Sequence, residues 1–155
     1  MLRTSTKQLI YKMYSTIKEV RSMSDTRAEL DVRNVIARIA HRSDAGDLTE
    51  YGDLFTADAR WEMPGTPAKN GRAEIVAAAA ARRAEGGTGP GSATRHLVGT
   101  TAVTVEGDTA TAESYWQFYA DTTTAPALRL MGHYHDTLRR EADGWRVAHR
   151  QITIG

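Results

Sequence analysis

HLVGTTAVTVEGDTATAESYWQFYA at residues 96–120 and LRLMGHYHDTLRREADGWRVAHRQITI at residues 128–154 decide the fold. In the first stretch, His96–Val105 and Thr109–Ala120 are rich in β-branched and aromatic residues and flank the turn Glu106-Gly107-Asp108. In the second, Leu128–Arg140 and Trp145–Ile154 flank Ala142-Asp143-Gly144 in the same way. Runs of this composition joined by short Gly/Asp turns read as β-hairpins, so four antiparallel strands are expected. Ahead of them stands Gly86-Gly87-Thr88-Gly89-Pro90-Gly91, a flexible loop. No Gly-Lys-Ser/Thr follows it and the next element is a strand, so it is not a phosphate cradle.

Upstream of that loop the pattern is helical. Thr26 with Glu29 forms a capping box, and Val32, Val35, Ile36 and Ile39 recur at helical spacing, which predicts a helix of about 18 residues running towards Asp44. Ala45-Gly46 ends it. Asp47 caps a short second helix with Glu50 as reciprocal partner, carrying Leu48, Tyr51, Leu54 and Phe55 inward. Ala59–Met63 reads as a short strand ended by Pro64-Gly65, and Asn70 caps a third helix from Arg72 to Glu85. Helices first and antiparallel strands afterwards is the order of an α+β domain, with helices covering one face of a curved sheet.

Composition sets the outer bounds. A length of 155 residues fits one domain, and 41% hydrophobic with 25% charged residues is ordinary for a globular chain. There is no cysteine, which excludes disulfides, thiolate zinc sites and a cysteine nucleophile. No apolar run approaches the roughly 18 residues of a membrane span, and the start lacks the apolar core of a signal peptide, so a cytoplasmic location is expected. The net charge of +1 hides an asymmetry. Residues 1–22 carry Arg3, Lys7, Lys12, Lys18 and Arg21 against Glu19, which is +4 and leaves −3 for the remainder. A mildly acidic main body is poorly suited to nucleic acid.

The chain therefore divides at Met23 into a leading segment, 1–22, and a domain, 23–155. In the leading segment Leu9, Ile10, Met13, Tyr14, Ile17 and Val20 share one helical stripe, making it basic and amphipathic. It reads as a helix that meets a membrane surface or partner, as an extra helix packed on the domain, or as an upstream extension.

Two residues stand out chemically. Asp44 falls four residues after Ala40 and eight after Ile36, continuing the core-facing stripe of the predicted helix. A carboxylate there needs a partner if buried; the alternative is exposure in the turn-like Asp44-Ala45-Gly46-Asp47. His96 opens the first long strand. If an Asp holds one imidazole nitrogen, the other is left as a base, histidine being the side chain that titrates near neutral pH. Without an acid facing it, His96 reads as structural. His133, His135 and His149 invite a metal reading, but His133 and His135 are two apart on a strand and share a face directed away from the interior, so no metal site is expected.

From Thr26 to Ile154 the chain resembles the SnoaL-like branch of the nuclear transport factor 2-like superfamily. The resemblance is carried by Ser43-Asp44-Ala45-Gly46-Asp47, Leu54-Phe55-Thr56-Ala57-Asp58-Ala59-Arg60-Trp61 and Asn70-Gly71-Arg72-Ala73-Glu74-Ile75. It continues in Thr94-Arg95-His96-Leu97-Val98-Gly99, in Val105-Glu106-Gly107-Asp108-Thr109-Ala110, and in Gly132-His133-Tyr134-His135-Asp136 with Gly144-Trp145-Arg146-Val147-Ala148-His149-Arg150. It implies an α+β, cone-shaped barrel in which a strongly curved sheet wraps a deep apolar pocket closed by helices.

Scytalone dehydratase, bile-acid 7α-dehydratase and the hexachlorocyclohexane dehydrochlorinase of this superfamily use an Asp–His pair at the pocket floor. The resemblance maps that pair onto Asp44 and His96. It implies proton abstraction by histidine followed by loss of water or halide, with neither metal nor organic cofactor. Such enzymes often carry Lys or Tyr about five residues before the Asp, where this chain has Ile39; a second polar position falls near Tyr119 or Ala120. Strand alternation places Tyr134, Asp136 and Leu138 on one face, which the resemblance makes the pocket face. Tyr134 is then the candidate hydroxyl donor, and Asp136 matches a substrate-contacting Asn of the scytalone enzyme; the two read equally as a structural hydrogen-bonded pair. Trp61, Met63, Trp116 and Phe118 line the pocket on this reading, or serve as plain core.

The expectation is a cofactor-independent lyase or isomerase, dehydratase-like or cyclase-like, acting on a small hydrophobic or polycyclic molecule. The alternatives are a non-catalytic ligand-binding or assembly module and the small subunit of a ring-hydroxylating oxygenase. Family members associate through the outer sheet face, here read as Arg95, Thr101, Thr111, Glu113, Tyr115 and Gln117. A homo-oligomer is expected, a trimer ahead of a dimer.

Overall fold

The computed structural model describes residues 6–155, the side chains at 20–22 and 24 excepted. Arg3 and the side chains of Val20 and Arg21, read above as part of the basic segment, lie outside the described residues. No helix described is long and apolar enough to cross a membrane.

The first element corrects the sequence reading. Instead of two helices meeting near Met23, a single helix, α1, runs Thr6–Ala45 over 40 residues. No glycine or proline interrupts that span, so the backbone ladder continues through Thr26 and the capping box there marks no helix start. Only the second half of α1 packs on the domain: Ala28, Val32, Val35, Ile36, Ile39 and Ala40 are buried, while Leu9, Ile10, Met13, Tyr14 and Ile17 are exposed. α2 (Leu48–Gly52) starts as expected, Asp47 Oδ1 accepting from the backbone N–H groups of Thr49 at 2.7 Å and Glu50 at 3.2 Å. Those bonds hold the Asp47 carboxyl below its ordinary pKa. Glu50 is not its reciprocal partner; it pairs with Arg42 at 2.9 Å.

β1 (Phe55–Glu62) and the short β2 (Lys69–Asn70) precede α3 (Arg72–Ala84). Asn70 does not cap α3. Its side chain accepts from Arg60 at 2.9 Å, and the N-cap is Gly71 at φ 85°, a conformation suited to glycine. β3 (Arg95–Glu106), β4 (Thr109–Ala120), β5 (Ala127–Glu141) and β6 (Gly144–Ile154) form the two hairpins expected.

The six strands form one sheet in the order β2-β1-β6-β5-β4-β3. The architecture is α+β, as read from the sequence, with two refinements: the sheet is curved but unclosed, and β1 runs parallel to β6. Register shifts at Phe55/Arg60, Val98/Thr101, Phe118/Tyr119 and Thr137/Leu138 interrupt the ladders, and such bulges bend strands. The shift in β3 overturns one expectation. Past it, Thr101 pairs with buried Ser114, and their hydroxyls lie 3.1 Å apart, so Thr101 is not on the outer face. Tyr115, 55% exposed, is on that face as expected.

α1 packs across β3 and β6, and the core forms between helices and concave sheet: Val32, Ile36, Phe55, Ile75, Leu138 and Val147 are fully enclosed. One glycine is dictated by a close approach. A Cβ on Gly132 would stand 1.9 Å from the carbonyl oxygen of Thr153 on β6. Gly132→Ala must therefore separate β5 from β6, and we expect a loss of about 3 kcal/mol in urea unfolding, the upper range for overpacking. A loss under about 0.5 kcal/mol would show that the two strands part without strain.

Candidate active site

α1 ends where β3 begins, and the junction is a single carboxylate. Asp44 is 4% exposed and sits on the stripe of Ile36 and Ala40. Its Oδ1 lies 2.6 Å from His96 Nδ1, and its Oδ2 accepts from the His96 backbone N–H at 2.7 Å. Both oxygens are thereby occupied, which is what makes burial of this group tolerable. With the proton on Nδ1 facing the carboxylate, Nε2 carries the lone pair. It has no hydrogen-bond partner among the described residues, and the ring lines a cavity.

The end of α1 is itself held. Arg83 of α3 donates through Nη2 to the carbonyls of Arg42 at 2.5 Å, Ser43 at 3.3 Å and Gly46 at 2.8 Å. A cation on the last carbonyls of a helix both satisfies orphan acceptors and complements the helix dipole. This fixes the turn that presents Asp44.

The cavity measures about 200 Å³, larger than the ~150 Å³ hole that admits a benzene ring. Its apolar wall includes Ile39, Trp61, Met63, Trp116, Phe118 and Ile152. Thus the four residues expected to line it, Trp61, Met63, Trp116 and Phe118, all do so, with Ile39 beside them. His96 and Phe118 touch, ring centroids 4.7 Å apart. Arg82 of α3 and Gly87 and Thr88 of the glycine-rich loop complete the rim.

Tyr134 also lines the cavity, stacked on Trp116 at 5.4 Å and 9°. Burial raises its pKa well above the ordinary tyrosine value, against the opposing pull of Arg150, so the hydroxyl remains a proton donor. Asp136 is placed differently from the expectation. It is buried but does not line the cavity, because both its oxygens accept from Arg150, Oδ1 from Nε and Oδ2 from Nη2, each at 2.7 Å. Arg150 lines the cavity in its place, its guanidinium 4.1 Å over the Tyr134 ring. Burial works to lower the Arg150 pKa; the charge and hydrogen bonds of Asp136 outweigh it, and the guanidinium stays charged. Nη1 is not used by Asp136.

Sequence reasoning missed Arg150. Alternation from Trp145 and Val147 carries His149, not Arg150, inward. A register shift opposite Thr137/Leu138 inserts one residue in β6, so Val147 pairs with Leu138 but Arg150 with Asp136. The one available signal was Asp136 itself, an inward carboxylate requiring a cation. His133 stacks on Tyr115 at 4.1 Å and His135 faces Glu113 at 3.7 Å on the outer side, while His149 Nε2 lies 2.7 Å from Glu62. Among the described residues no three such side chains gather as a metal site.

Removing one member of the buried pair strands the other. Asp136→Ala should lower stability by about 3–5 kcal/mol, while Asp136→Leu with Arg150→Met should recover most of that loss. Urea unfolding of the single and double variants measures it; equal losses in both would show that packing, not charge, sets the effect.

Comparison with known proteins agrees with this architecture. An NTF2-like protein with a cystatin-like fold from Novosphingobium aromaticivorans superposes with a TM-score of 0.73 at 25% identity, over 99% of this chain and 92% of its own. ActVI-ORFA from Streptomyces coelicolor does so at 0.67 and 25% identity, over 81% of this chain and 96% of its own. Aln2 from another Streptomyces species gives 0.71 at 24% identity, over 81% and 89%, a likeness of fold. No curated protein matches in sequence. The family model of the SnoaL-like domain matches residues 24–151, and the chain belongs to that family.

Proposed function

We propose that the protein is a cofactor-independent lyase or isomerase in which His96 removes a proton from a C–H acid and Asp44 supports it. The observation that carries this reading is the 2.6 Å contact between Asp44 and His96 Nδ1 at the wall of an apolar cavity, with Nε2 left free. In the reaction Nε2 takes the proton, and the carboxylate stabilises the imidazolium that forms. The electrons left on carbon need an acceptor. Tyr134 and Arg150 lie on the same cavity wall, and an enolate oxygen placed there receives the Tyr134 O–H and an Arg150 N–H as its charge develops. Asp136 then acts through Arg150, holding it charged and oriented. Loss of a leaving group completes an elimination; return of the proton elsewhere gives an isomerisation; attack of the carbanion on a second carbonyl gives a cyclisation. A polyketide-type cyclisation, an intramolecular aldol addition, begins with the same proton abstraction.

A base probe tests the dyad without knowledge of the substrate. 5-Nitrobenzisoxazole loses its C–H proton as its N–O bond breaks, releasing a coloured phenolate. We expect wild-type protein to accelerate this elimination, His96→Ala to abolish the acceleration, and Asp44→Asn to reduce it by about 10²–10⁴-fold. Undiminished turnover by His96→Ala would overturn the assignment of the base.

The outer sheet face supports self-association. Leu97, Tyr115 and Met131, all exposed, lie across β3, β4 and β5 on the side opposite the cavity. An exposed apolar patch of this kind calls for cover, and we infer a homo-oligomer, a trimer ahead of a dimer. Light scattering at micromolar concentration should return a multiple of the chain mass; a monomer would contradict it.

A further inference from the structure

We propose that the substrate is an organic acid whose carboxylate is bound by Arg82 at the rim of the cavity. The proposal rests on the reading of the cavity as a substrate site and adds the chemical class of its occupant. It comes from an imbalance of charge. No Asp or Glu lines the cavity. The two acids just behind its wall are fully committed, Asp44 to His96 and Asp136 to Arg150.

Of the two arginines that line the cavity, Arg150 thus has its counter-ion within the fold. Arg82 has none: it forms no ion pair among the described residues, though it is only half-exposed. Its neighbour Arg83 points the other way and serves the end of α1. Arg82 is nonetheless held in place. Its guanidinium lies 5.4 Å over the Trp61 ring, and it stands near enough to the Tyr51 hydroxyl to work against the burial that raises that group's pKa. The Tyr51 hydroxyl takes one hydrogen bond from this guanidinium, and the N–H groups that remain match a carboxylate. Partial burial strengthens such a pair relative to one in open water.

The geometry orders the ligand. Its acid group meets Arg82 at the rim, its apolar body lies between Trp61, Met63, Trp116 and Phe118, and its enolisable carbon is presented to His96. An arginine that merely shields Trp61 from water would have no preference for charged ligands, and this difference is what an experiment can read.

The probes are 2-naphthoate and its methyl ester, which share an apolar body and differ in charge, titrated by calorimetry into the full chain. The wild type should bind the acid about tenfold more tightly than the ester, with one site per chain. Arg82→Gln should remove that preference while leaving ester affinity within about twofold, and Arg82→Lys should keep part of it. Equal binding of acid and ester to the wild type would overturn the role of Arg82 and leave the cavity as a ligand site. So would a preference that persists in Arg82→Gln. Binding of neither compound to the wild type would overturn both the proposal and the reading of the cavity beneath it.

Discussion

The fold turns on a buried carboxylate with two hydrogen bonds. Asp44 sits at the last turn of α1, and its partners, the ring and backbone N–H of His96, sit at the start of β3. One side chain thus fastens the helical layer to the sheet and sets the imidazole on edge against the cavity. A carboxylate buried in this position is costly unless it is hydrogen-bonded, and the arrangement gives each oxygen a partner. Arg83 closes the same junction from α3, neutralising the helix end that would otherwise add negative potential beside Asp44. Helix terminus, strand start and third helix therefore meet at one electrostatically matched point.

A second buried pair, Asp136 with Arg150, organises the opposite wall. The two pairs have the same logic with the polarity reversed. In the first, the acid is hidden and the base faces the cavity; in the second, the acid is hidden and the cation faces the cavity. The cavity consequently sees a proton acceptor and proton donors, but no anion. That combination suits chemistry in which a proton leaves carbon and negative charge grows on oxygen. The wall around them is largely aromatic and aliphatic, including Trp61, Trp116, Phe118 and Ile152.

Much of this was legible from residue pattern. The two hairpins announce themselves through composition and turns. Asp44 is marked by its place on an apolar stripe, and His96 by its position at the head of a strand. Their meeting was not readable from spacing, since 52 residues separate them; only the resemblance to a family linked them. What escaped has a common physical cause. The bulge that brings Arg150 inward and the one that turns Thr101 towards Ser114 each insert a residue, and a one-residue slip inverts every following side chain. Nothing in local composition marks such a slip. The continuity of α1 escaped for the opposite reason: Thr26 and Glu29 carry a genuine start signal, but a signal for starting does not stop a helix that has already begun.

That continuity shapes the molecule as a whole. Forty helical residues at 1.5 Å each make a rod of about 60 Å, against roughly 35 Å for the diameter of a globular domain this size. The domain is therefore a compact head on a stiff arm that carries Lys7, Lys12 and Lys18 along its length. A body of that outline tumbles and diffuses more slowly than a sphere of equal mass, so its elution volume would report length as much as stoichiometry.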